Sequence, residues 1–277
     1  MACPVCSSRS IDDFNTIKSY RLVQCSACGL IYCENPPSSS DETTEFYEHL
    51  YSDGEKYEGY GAPDILRSAE FSRRLEQIDL LQSGGRLLDI GCATGEFLEA
   101  AVRTGRYVCD GIDISPEAAR QASARLRKNI YCGTVDAFPA APGSYDIVTA
   151  WEVIEHMTDP VKFVRNVRRL LTPNGIFCLS TPNAHKISLR FSSDKRKLFF
   201  IPPEHLFYFS KPNLIRLLEN SGFSPVIIEA SSKRFLKIPE NKKNVRRLWN
   251  AVSTSFSFIG IEGYNLVAFG RKAANGS

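Results

Sequence analysis

Residues 87–100, LLDIGCATGEFLEA, decide how this chain is read. An apolar run ends in a turn holding Gly91, Ala93 and Gly95, and the chain then resumes as a helix. A glycine-rich turn between strand and helix lets the backbone approach a ligand closely. A dinucleotide fingerprint would need G-x-G-x-x-G, with the pyrophosphate at the helix N-terminus. Here the spacing is different and position 96 is Glu. A carboxylate there is expected to repel a diphosphate and to favour a ligand carrying positive charge.

Working outward, apolar runs at 86–90, 107–112, 145–150, 175–180, 225–229 and 264–269 predict strands. Helices are predicted over 64–82, 95–104, 116–127, 160–171 and 211–221. Ser115 before Pro116, Asp159 before Pro160 and Ser210 before Lys211 read as helix starts, and Gly222 as a stop. Strand–helix alternation implies an α/β fold with a doubly wound, mostly parallel sheet. In such sheets, ligands bind beyond the carboxyl ends of the strands.

With those elements in place, LLDIGCATG resembles the first motif of class I S-adenosylmethionine-dependent methyltransferases. Asp89, Gly91 and Gly95 match it, and Ala93 replaces the middle glycine. The second strand ends in CDGIDISPEA, placing Asp113 where the family binds the ribose hydroxyls; a carboxylate can accept both hydrogen bonds in one plane. GTVDAFP brings Asp136 and Ala137 to the adenine position. YDIVTAWEVIEHMTDP resembles the fourth strand and its loop, and LLTPNGIFCLSTPN the fifth strand. The resemblance covers about residues 64–230, and 264–270 fits the family's last, antiparallel strand. It implies a Rossmann-like, seven-stranded sheet and S-adenosyl-L-methionine as cofactor. The implied cofactor site comprises Asp89, Gly91, Cys92, Ala93, Gly95, Asp113, Ile114, Asp136, Ala137 and Trp151, although a ring as large as Trp151 also suits a core. PPEHLFYFSKPNLIRLLENSGF is similar to small-molecule methyltransferases of cofactor, antibiotic and sugar pathways.

Methyl transfer to a hydroxyl or ammonium needs a group that takes a proton. Glu152, Glu155 and His156 follow the fourth strand. Histidine titrates near neutrality, so His156 is the expected base, with a turn-stabilising role as the alternative. His205, beside Glu204, is a second catalytic candidate or a structural residue. His185 follows the fifth strand and reads as a loop residue that reaches the acceptor side at most.

The N-terminus carries a separate signal. Cys3-x2-Cys6 is followed after 18 residues by Cys25-x2-Cys28, a spacing typical of zinc sites. Each pair turns two thiolates to one face, and two pairs on a short hairpin complete a tetrahedron. Gly29 supplies the turn, and YRLVQ an alternating strand. A redox motif would use one such pair before a helix. Four protein ligands leave no open position, so the expected zinc is structural. Cys33 is a spare thiol; Cys92, Cys109, Cys132 and Cys178 lie in or beside apolar strands.

The expected organisation is therefore a zinc ribbon at 1–35, an acidic aromatic linker at 36–62, and a methyltransferase domain at 63–277 with cap insertions at 184–209 and 231–261. The net charge is +3, but it is uneven: −6 over 41–60, +4 over 185–197 and +6 over 233–247. Basic insertions suggest an anionic small-molecule acceptor (phosphorylated, carboxylated or nucleotide-linked) or solvated surface, with ribosomal RNA as the alternative substrate. No run reaches the roughly eighteen apolar residues of a membrane span. The start lacks a signal-peptide pattern, and nine cysteines suit a reducing compartment, so a cytoplasmic protein is expected.

Overall fold

The computed structural model describes residues 2–37, 65–185, 199–231 and 265–273. Most of the expected linker and of both insertions, and with them the basic runs, lies outside the described residues.

The N-terminal unit is a three-stranded meander: β1 (Ile11–Ile17), β2 (Tyr20–Cys25) and β3 (Ile31–Cys33). The body begins with α1 (Ile65–Leu81) and β4 (Gly85–Ile90), then α2 (Glu96–Arg103), β5 (Tyr107–Asp113), α3 (Pro116–Leu126) and the short β6 (Tyr131–Cys132). β7 (Tyr145–Trp151) leads through a 3-10 turn (Ile154–His156) into α4 (Pro160–Leu170) and β8 (Leu171–Pro182). After β9 (Phe207–Tyr208) come α5 (Lys211–Asn220), β10 (Phe223–Ser231) and β11 (Asn265–Lys272).

Seven strands form one sheet in the order β10-β11-β8-β7-β4-β5-β6. β8, β7, β4, β5 and β6 run parallel, and β11 is antiparallel to both its neighbours. This is the expected Rossmann-like sheet with its antiparallel last strand. The parallel strands are apolar on both faces because helices cover both: Leu87, Leu88, Ile147, Val148, Phe177 and Leu179 are all fully buried. Helix starts follow the expected chemistry. Ser115 Oγ accepts from the Ala118 N–H, Asp159 Oδ1 accepts from the Lys162 N–H, and each cap precedes a proline.

Four strands were not expected from the sequence: β1, β3, β6 and β9. β6 has two residues, and β9 is likewise only a dipeptide. β9 joins the N-terminal meander rather than the large sheet, giving the order β1-β2-β3-β9. The N-terminal unit therefore shares one apolar core with the body, in which Cys3, Val5 and Leu22 belong with Phe207, Phe209 and Leu214. Among the described residues no helix is long and apolar enough to cross a membrane.

Candidate functional site

The loop 91–95 leaves the carboxyl end of β4 at the centre of the sheet, where the strand order reverses. Gly91 (φ +69°), Ala93 (φ +47°) and Gly95 (φ +80°) all adopt left-handed backbone. A Cβ on Gly91 would come within 2.6 Å of Val153 Cγ2, and one on Gly95 within 3.1 Å of Ala122 Cβ. The loop is thus pressed between two neighbouring elements, and only glycine fits at its ends.

Two buried carboxylates flank it. Asp113, the last residue of β5, accepts from the Ala93 N–H (2.7 Å) and from the Ser115 N–H (2.9 Å). Burial pushes its carboxyl up, and the backbone N–H groups of Ser115, Ala93 and Ile114 pull the other way. Asp89 accepts from Thr149 Oγ1 at 2.6 Å. Burial raises it to about 7, against the Thr149 hydrogen bond and the charge of Arg74. Cys92 is buried, Ile114 half-buried.

Arg74 was not singled out from the sequence. It lies 3% exposed on α1, paired with Glu70 at 2.5 Å, and its guanidinium sits 4.3 Å from the centre of the Trp151 ring. The i,i+4 spacing of Glu70 and Arg74 was the available signal, but such pairs are commonly surface features. Trp151 also packs edge-on against Phe97. Two buried polar atoms here, Thr94 Oγ1 and Trp151 Nε1, have no hydrogen-bond partner among the described residues, as expected of a site built to hold a polar ligand.

Glu96 acts differently from its sequence expectation. It pairs with Arg67 at 3.0 Å and lies 3.9 Å from Arg125, so its charge is met within the chain. Asp136 and Ala137 lie on the exposed loop after β6. Asp136 bonds Asn166 Nδ2 (2.6 Å) and Lys162, both on α4, and the Ala137 carbonyl accepts from Tyr131 OH (3.0 Å).

A second cluster lies beyond β7. One ligand atom from each of Glu155, His156 and His205 falls within 4.8 Å of the others. Glu155 is 1% exposed, and its Oε1 is 3.9 Å from His156 Nε2. His156 Nδ1 lies 2.5 Å from the Glu204 carbonyl oxygen. A carbonyl can only accept, so Nδ1 carries the proton and Nε2 the lone pair of the neutral ring. The two histidine rings meet edge-to-face at 4.9 Å. Glu152 (φ +57°) is held elsewhere: Oε1 accepts from Ser180 Oγ (2.5 Å) and Asn265 Nδ2 (2.9 Å). His185 is exposed past β8, outside the cluster.

The four cysteines also converge. Their Sγ atoms lie within 4.8 Å of one another, with Cys3–Cys28 at 3.6 Å and Cys6–Cys25 at 3.5 Å. Four thiolates about 2.3 Å from a tetrahedral zinc would stand about 3.8 Å apart, close to what is seen. Burial raises the Cys3 thiol to about 11. Burial also works against ionisation at Cys6, but hydrogen bonds from the Ser8 backbone and the neighbouring thiols outweigh it and bring Cys6 to about 7. A bound cation would relieve the cost of ionising the buried thiols.

Comparison with known proteins bears on the body of the chain. Residues 65–227 match the family model described as a methyltransferase domain. A ubiquinone biosynthesis O-methyltransferase of Xanthomonas campestris is 37% identical over 106 residues, 36% of this chain and 44% of the relative. The same-named protein of Psychrobacter arcticus is 32% identical over 142 residues, 48% and 51% of the two chains. The chain spans about half the length of the curated relatives it matches. Among solved structures, a Thermotoga maritima SAM-dependent methyltransferase, a possible histamine N-methyltransferase, superposes with TM-score 0.56 at 18% identity, covering 83% of this chain and 99% of that one. A methyltransferase of Archaeoglobus fulgidus gives 0.57 at 21% identity, covering 81% and 100%. The chain belongs to the methyltransferase domain family and has the Rossmann-like fold of its S-adenosylmethionine-dependent members.

Proposed function

We propose that this chain transfers a methyl group from S-adenosylmethionine to a small-molecule acceptor, at oxygen in the first instance, with His156 as general base. The observation that carries this reading is the placing of two polar clusters beyond the sheet's carboxyl ends: the Asp89–Asp113 loop, and His156 with Glu155 and His205. The sulfonium supplies an already activated methyl group. Asp113 is suited to the cofactor's ribose, because each oxygen has a lone pair beyond the backbone bond it already accepts. Loop 91–95 lets the cofactor lie against backbone, and Trp151 with Arg74 walls it. His156 Nε2 takes the acceptor's proton, while the Glu204 carbonyl holds the ring by Nδ1. Glu155, buried beside it, stabilises the imidazolium that results. Oxygen as the atom methylated is supported by the names of the curated relatives.

The four cysteines are suited to a structural zinc, and thiols used as metal ligands fit a cytoplasmic setting. An anionic acceptor rests on basic runs outside the described residues, as does the RNA alternative; a mobility shift with total RNA separates the two.

The test begins with calorimetry. S-adenosylhomocysteine is expected to give heat on mixing, and a nicotinamide dinucleotide none; the reverse would overturn the reading. Labelled-methyl transfer to a panel of phenols, catechols and amines then identifies the acceptor. On that acceptor, His156→Ala should slow turnover by about 10²–10⁴-fold with S-adenosylhomocysteine affinity unchanged. Undiminished turnover removes His156 as base.

A further inference from the structure

The four-cysteine unit is tied to the acceptor side by a chain of backbone bonds. β3 starts three residues after Cys28 and pairs antiparallel with β9, Ile31 opposite Tyr208 and Tyr32 opposite Phe207. The Cys33 N–H donates to the Leu206 carbonyl at 2.8 Å. The Leu206 N–H in turn donates to the Glu155 carbonyl at 2.8 Å. On either side of Leu206 stand the Glu204 carbonyl, which receives His156 Nδ1, and His205, whose own carbonyl accepts from Tyr208 OH at 2.8 Å. Three residues, 204–206, therefore aim both histidines, and the strand that follows them finds its partner in β3.

The physics makes β9 dependent on that partner. A two-residue strand does not hold a register by itself, and buried backbone groups must be paired. β9 lies at the edge of the four-stranded sheet, where β3 is the strand bonded to it. Side chains reinforce the same contact. Tyr32 and Phe207 stack at 5.9 Å with 12° between their planes. Phe14 packs on Phe200 at 5.1 Å, and Asn220 Nδ2 donates to the Val5 carbonyl at 3.1 Å. In turn β3 is anchored at its start by the knuckle: the Cys25 N–H donates to the Leu30 carbonyl, and the Gly29 N–H to the Cys25 carbonyl.

We propose that the four-cysteine unit is a positioning element of the acceptor site: through β3, β9 and Leu206 it sets the geometry of His156 and His205. Metal loading of the thiols thereby governs the acceptor side while leaving the cofactor side alone. The inference rests on the reading of the two histidines as acceptor-side groups and of the thiols as a zinc site.

Its test needs no acceptor. The zinc-loaded protein is compared with the same protein after a high-affinity zinc chelator, and again after zinc is restored. Amide hydrogen exchange should accelerate about ten-fold or more in peptides covering 31–33, 154–156 and 204–208, and stay unchanged across 87–95 and 107–115. The ring-proton resonances of His156 and His205 should move, while those of exposed His185 should not. S-adenosylhomocysteine affinity should stay within about two-fold, and zinc should reverse every change. Faster exchange confined to residues 2–30, or spread through β4 and β5 with loss of S-adenosylhomocysteine binding, overturns the proposal. So does a protein purified without zinc and indifferent to the chelator. Tyr32→Ala provides an arm that keeps all four thiols: it should retain one zinc per chain yet shift the same two histidine resonances, and their constancy would refute the link. Failure of the methyltransferase reading itself would show separately, as absence of S-adenosylhomocysteine heat in the untreated protein.

Discussion

Replacing Gly91 by Ala tests whether loop 91–95 is fixed by its neighbours before any ligand arrives. The φ of +69° costs an L-residue about 1–2 kcal/mol. The new methyl would stand 2.6 Å from Val153 Cγ2, far inside van der Waals contact. Val153 is 9% exposed and starts the turn that carries Glu155 and His156, so it can yield only by moving that turn. Overpacking of this kind costs about 1–3 kcal/mol. Gly91→Ala should therefore lower unfolding stability by about 2–5 kcal/mol, a large share of the 5–15 kcal/mol typical of a domain. The assay is urea unfolding at 25 °C without ligand, repeated in Val153→Ala and in the double variant. Val153→Ala removes the methyl that clashes, so the double variant should recover the overpacking part, an interaction of about 1–3 kcal/mol, and keep the backbone strain. A single-variant loss below about 0.5 kcal/mol, or strict additivity in the cycle, would refute the account.

Asp113→Asn should weaken S-adenosylhomocysteine binding by about 100-fold or more, since hydrogen bonds to a charged acceptor are worth about 1.5–3 kcal/mol each; a change under about three-fold by calorimetry would remove Asp113 from the ribose. Asp89 is raised from 3.8 to about 7 in the fold, so its contribution to stability is full below about pH 4 and is lost as pH rises through 7. Asp89→Asn keeps an acceptor for Thr149 and removes the charge; relative to the native chain it should gain on the order of 3 kcal/mol between about pH 4.5 and 8 in urea unfolding, and parallel pH curves would contradict the assignment. Elemental analysis should find one zinc per chain, lost in Cys25→Ser; a native protein free of metal would end the zinc reading.

The resemblance and the structure meet most closely along the central strands. LLDIGCATG reads as strand and turn because its apolar run and glycines are local signals, and the turn lies there at the end of β4. Asp113 was legible through the family resemblance, which expects an acidic residue at the end of the second strand. Arg74 was not: α1 shows a charged pair like any surface helix, and only packing against Trp151, with its charge acting on Asp89, makes the guanidinium part of a site. β9 escaped notice because two residues carry no period, and its pairing is made with a strand far away in the chain, Ile31 with Tyr208 (177 positions apart) and Tyr32 with Phe207 (175 positions apart).

By itself the sequence determined the α/β class, the glycine turn and the grouping of four thiols, since each depends on residues close along the chain; Asp89 and Asp113 came from the family resemblance, and their burial from the fold. Tertiary structure alone decided that Glu96 pairs with Arg67, that Glu152 is held by Ser180 and Asn265, and that His156 and His205 meet. It also decided that the cysteine unit pairs with β9 and shares an apolar core with the body. The reason is physical: local propensity and spacing fix a turn or a strand, but which charge is compensated and which ring faces which depends on elements far apart in sequence that only packing brings within bonding distance.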